Sequence, residues 1–141
     1  MLWPPSSLES TAPPASGKAL RWALDEARLR GAVVRAVYAW TFPFQGGEIA
    51  HLAAQAAHGA LQQEAEQLSQ TAVRAALGAD ADAVERVVEE ASPVRALTAA
   101  ARDADLLVVG SRGRGGFTGL LLGSVSTQCA QHAPCPVVII R

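Results

Sequence analysis

The chain has 141 residues, half of them apolar, and a net charge of −1, which suits one domain with a sizeable core. That near-neutral balance argues against a nucleic-acid or membrane-surface partner. No apolar run approaches the roughly 18–20 residues needed to cross a bilayer.

Residues 1–16 are rich in Pro, Ser and Ala and read as coil, without the basic and apolar stretches of a signal peptide. Residues 17–30 have helical periodicity: Leu20, Ala23, Leu24, Ala27 and Leu29 are assigned to the apolar side, and Arg21, Asp25, Glu26 and Arg28 to the other. Gly31 closes that helix. Residues 33–40 are β-branched and aromatic and read as a strand, followed by a Pro- and Gly-containing loop over 41–47. Residues 48–77 form a long Ala-, Gln- and Leu-rich helix that stops at Gly78. A strand is expected over 83–89. Ser92 and Pro93 then open a helix that runs to about Arg102. Residues 106–109 are wholly apolar, as in a parallel strand buried on both faces. A short helix over 124–132 and a strand over 137–140 complete the chain. Alternating helices and strands imply right-handed crossovers around a parallel sheet with helices on both faces. The order is unusual in beginning with a helix.

The segment after Val109 carries the chemistry. Gly110, Gly113, Gly123 and Ser124 spell G-x2-G-x9-G-[S/T] between a strand and a helix. Glycine reaches φ > 0 and lets a ligand approach the backbone, and N–H groups at a helix start favour phosphate. The loop is neither a Walker A motif nor G-x-G-x-x-G, because no Gly-Lys-Ser/Thr follows and Thr118 fills the last slot. A flexible glycine-rich turn is the plainer alternative. Arg112 and Arg114 either neutralise phosphate or are solvated.

From here to Arg141 the chain resembles the nucleotide-binding half of the universal stress protein family. Residues 17–40 look like that family's first helix and second strand, so the likeness covers 17–141 and leaves 1–16 as an atypical N-terminus. The resemblance implies a Rossmann-like fold of the adenine nucleotide α-hydrolase type and a cytoplasmic stress-response protein that binds ATP, with or without Mg. Gly110 and Gly113 would approach the ribose and phosphates. Gly123, Ser124 and Val125 would hold phosphate, and Ala39 would line the adenine pocket. It also implies a homodimer through residues 136–140, an apolar edge strand open to pairing. No protein partner is implied by name.

One departure bears on all of this. The family's first strand ends in Asp-Gly-Ser, whose Asp contacts adenine. Counted back from Gly17, those slots hold Thr11, Ala12 and Pro13, and the strand before them holds Ser6, Ser7, Glu9 and Ser10. The first strand is therefore expected to be missing or degenerate, and ATP binding weak or absent. A frame change upstream of about residue 13 would account for it. With suitable third bases, Glu-Ser-Thr-Ala-Pro read one base earlier becomes Gly-Val-Asp-Gly-Ser; the alternative is a divergent N-terminus. A degenerate, dimeric interaction module without nucleotide is the second functional reading, and a slow ATPase or phosphotransferase the third. No carboxylate or His near the loop is placed to orient a water, so catalysis is not expected.

The remaining residues read structurally. His51 and His58 lie two helical turns apart, about 10.8 Å, too far to share one ion unaided. With His132 they are expected to be solvated or capping residues, so no metal site is assigned. Trp3, Trp22 and Trp40 suit core or interface positions. Cys129 and Cys135 suit reduced core thiols.

Overall fold

The alternation of apolar strands and amphipathic helices produces an α/β fold. The computed structural model describes residues 2–3, 14–42, 48–111 and 122–141. In chain order come β1 (Leu2–Trp3), α1 (Pro14–Arg30), β2 (Val34–Trp40), α2 (Glu48–Leu77), β3 (Val84–Glu90), α3 (Pro93–Ala100), β4 (Leu107–Gly110), α4 (Ser124–His132) and β5 (Val137–Ile140). Short 3₁₀ turns over Gly78–Ala83 and Ala101–Asp103 precede β3 and β4.

The coil expected over residues 1–16 contains two elements. Leu2 and Trp3 form a strand parallel to β2, in register with Arg35 and Ala36, so the chain opens with a strand after all. That strand is two residues long. Pro4 and Pro5 follow it, and neither has an N–H to continue a ladder. Pro14 starts α1 three residues before the expected Gly17, a position where proline's fixed φ suits the first helical turn.

β1, β2 and β3 form one parallel sheet in the order β1-β2-β3, and β4 pairs in parallel with β5. β1 lies against β4 without a hydrogen-bonded ladder between them. Helices cover both faces. On one, Leu20, Ala23, Leu24 and Ala27 of α1 and Val73 and Leu77 of α2 pack on Val34, Ala36 and Val108. On the other, Ala96 and Leu97 of α3 and Cys129 of α4 pack on Val37, Ala39, Leu107 and Val109. Leu29 departs from its expected side and is 84% exposed. It lies nine positions after Leu20, about two and a half turns, which puts it on the opposite side of α1.

Polar contacts fix the helices. Asp80, just past α2, accepts from Arg21 at 2.7 Å and from Arg28 at 2.6 Å. Arg21 also donates to the Leu77 carbonyl at 2.9 Å, which satisfies an acceptor in the last turn of α2. The two outer strands differ in character. β3 exposes Glu85, Arg86, Glu89 and Glu90, whereas β5 is four aliphatic residues, all half-buried.

Candidate functional site

The site is built at the carboxyl ends of the strands. β4 ends at Gly110, paired with Ile140, and the Ser111 N–H donates to the Ile140 carbonyl at 2.7 Å. The chain returns at Gly123, whose N–H donates to the Ser111 carbonyl at 2.6 Å. The two ends of the glycine segment are thereby tied together at the start of α4. Ser126 reinforces the tie. It is buried, and its hydroxyl lies 3.1 Å from the Ser111 carbonyl and 2.9 Å from that of Gly123. Thr127 donates its hydroxyl to Gly123 at 2.9 Å. The sequence reading missed Ser111, Ser126 and Thr127. The run Ser124-Val-Ser-Thr127 at a helix start was the available signal, since such hydroxyls bond nearby carbonyls.

α4 has no side-chain cap and no acidic residue in its first turn. Its leading N–H groups, at Ser124 and Val125, have no helical partner, and the helix dipole adds positive potential there. Ser124 is exposed and Val125 half-buried. This terminus can therefore take an anion.

Of the expected site residues, Gly110, Gly123, Ser124 and Val125 converge on the ends of β4 and α4. Ala39 sits near the carboxyl end of β2. It is 1% exposed, packed in the cluster that holds Val109 and Cys129. Arg112, Gly113 and Arg114 lie outside the described residues, as do Thr11, Ala12 and Pro13. One expectation is corrected. Gly123 has φ −74° and ψ 168°, extended backbone that any residue adopts, so φ > 0 is not what requires glycine there. Among the described glycines only Gly31 and Gly78 have positive φ, at helix ends.

His58 is half-exposed and makes specific contacts rather than a cap. Its Nε2 lies 2.7 Å from Oε2 of Glu90, and its ring packs against Trp40 and Phe42 with centroids at 5.2 and 5.7 Å. Trp22 and Trp40 take core positions. Cys129 and Cys135 are free thiols, and burial pushes the Cys129 thiol up to about 11. Among the described residues no His, Cys, Asp or Glu group could hold a metal ion, and no helix is long and apolar enough to cross a membrane.

Comparison with known proteins agrees with the fold. A sequence model of the universal stress protein family matches residues 11–141. A universal stress protein of Mycolicibacterium smegmatis is 38% identical over 133 residues, covering 91% of this chain and 42% of its own length. The chain thus spans less than half of that relative. In structure, UspA from Lactobacillus plantarum superposes with a TM-score of 0.73 at 18% identity, covering 100% of this chain and 99% of its own. A universal stress protein in complex with cAMP superposes with a TM-score of 0.58 at 25% identity, covering 99% and 97%. A parallel sheet clothed by helices on both faces, a tied glycine segment feeding an uncapped helix, and a family match over nearly the whole chain lead to one assignment: the chain belongs to the universal stress protein family.

Proposed function

We propose that this chain binds an adenine nucleotide, ATP by the family resemblance, with phosphate at Gly123, Ser124 and Val125 and the base toward the end of β2 near Ala39. The observation that carries this is the Gly123 to Ser111 bond. It closes the glycine segment onto α4 and leaves the helix start uncapped. The cAMP complex of a related structure supports the ligand class. The role is binding rather than turnover.

Gly123→Val tests the assignment. The substitution fits the local backbone, so it acts only by filling space at the helix start. ATP affinity measured by calorimetry is expected to vanish in the variant. Equal affinity in variant and parent would remove the phosphate assignment.

A second reading has its own support. The two-residue β1 and the Thr-Ala-Pro at the Asp-Gly-Ser slots favour a domain that has lost nucleotide and acts through an interaction surface. Purification followed by analysis of co-bound nucleotide separates the two. In either case β5 supports a homodimer, since its outer edge would otherwise leave backbone N–H and C=O groups unpaired beside a row of apolar side chains.

A further inference from the structure

A cavity of about 600 Å³ opens at the amino ends of β2 and β4, the end of the sheet away from Gly123. Its size falls within the about 300–1,000 Å³ usual for small-molecule sites. Two connections form the walls. One is residues 30–33, which join α1 to β2, together with Arg35 of β2. The other is residues 103–106, which lead into β4. Gly31 takes φ 65° at the turn out of α1, so the first wall carries no side chain at that point.

The walls carry opposite charges that do not meet. Arg35 is half-buried, and its one described hydrogen bond runs to the Ala100 carbonyl at 3.3 Å. A guanidinium has five N–H donors, so most of its capacity is unused. Asp103 and Asp105 line the same cavity from the other wall, and among the described residues neither has a hydrogen-bond or ion-pair partner. Elsewhere such charges close on each other directly. Asp80 meets Arg21 at 2.7 Å and Arg28 at 2.6 Å, and Arg30, also on the cavity wall, meets Glu26 at 2.6 Å. Arg35 and the two aspartates therefore stay uncompensated across one cavity. A ligand that carries both charges would satisfy all three, with the carboxylate matched to the fork of the guanidinium. Apolar lining comes from Val33, which is 62% exposed, and from half-buried Leu106.

We propose that this cavity binds a free α-amino acid with an apolar side chain. Its carboxylate meets Arg35, its ammonium meets Asp103 and Asp105, and its side chain covers Val33 and Leu106. The site lies at the opposite end of the strands from the proposed nucleotide site and does not depend on it.

L-Leucine titrated into the isotope-labelled full chain, with amide shifts read by NMR, tests this. Amides of residues 31–35 and 103–106 are expected to shift saturably at millimolar leucine, while those of residues 123–125 stay in place. N-Acetyl-leucine lacks the cation and leucinamide lacks the carboxylate, and each is expected to bind at least about tenfold more weakly. Asp103→Asn combined with Asp105→Asn is expected to weaken leucine at least about tenfold and N-acetyl-leucine little. Arg35→Gln is expected to weaken leucine similarly and leucinamide little. Circular dichroism melts establish that the variants fold; should Arg35→Gln not fold, the aspartate variant and the two analogues decide. The absence of a saturable shift with leucine overturns the proposal. So does a leucine affinity unchanged in the aspartate variant. Either analogue binding as tightly as leucine also overturns it, because a site for a peptide terminus needs only one of the two charges.

Discussion

Replacing residues 4–13 with an apolar strand that ends in Asp-Gly-Ser is expected to raise both the melting temperature and the affinity for ATP. β2 has seven residues, and β1 covers two of them, Arg35 and Ala36. Among the described residues nothing pairs with residues 37–40 on that side, or with the inner edge of β4. A four-residue parallel strand between two neighbours makes up to about eight backbone bonds. If only two of these relieve buried, unpaired groups, at about 1–3 kcal/mol each, the gain is about 2–6 kcal/mol. For a domain of this size that corresponds to a rise of at least about 6 °C. The restored carboxylate would add a charged hydrogen bond, worth at least about tenfold in ATP affinity. Circular dichroism melts and calorimetric titration of parent and variant read the two effects. An unchanged melting temperature would refute the reasoning, because it would mean that residues 4–13 already satisfy the inner edges of β2 and β4.

Val138→Lys combined with Ile140→Lys is expected to yield a monomer in sedimentation velocity at micromolar concentration, and a parent that is already monomeric would refute pairing through β5. Ser69→Ala is expected to raise the melting temperature. The Ser69 hydroxyl is fully buried in α2 with no hydrogen-bond partner, so its removal relieves an unmet desolvation cost of about 1 kcal/mol; a lower melting temperature would contradict this. Asp80 gives a pH signature. Hydrogen bonds from Arg21 and Arg28 hold its pKa below the ordinary 3.8, so its contribution is complete above the ordinary carboxylate range and fades as pH falls through the lowered value. Asp80→Asn is therefore expected to melt lower than the parent near neutral pH and to lose less on acidification; parallel curves would show that the cluster contributes nothing.

Elements set by local chemistry were legible in the chain. α2 ends at Leu77 because Gly78 takes φ 58°, and α4 and β5 fall on the residues expected for them. What escaped depends on distant partners. Leu2 and Trp3 form a strand only because Arg35 and Ala36 offer an edge, and two residues carry no periodicity to read. His58 finds Glu90 thirty-two positions away, a pairing that neither helix nor strand spacing announces. At the candidate site the glycines were visible, and so was the start of α4. The Ser126 hydroxyl that bonds both Ser111 and Gly123 was not, because it joins groups on either side of the glycine segment. The role given to Gly123 changed for a simpler reason: a residue type does not reveal which φ it adopts.

For the proposed pairing through β5, the unequal outer strands would limit how many copies can assemble. Charged side chains along β3 discourage any further strand from adding there, while β5 carries no charge to refuse one. A chain with one receptive margin and one forbidding margin can join a single twin across a two-fold axis. In the proposed β5 dimer the receptive margins would be used up and nothing would remain to recruit a third copy, so that proposed complex would close at two rather than extend into a fibre.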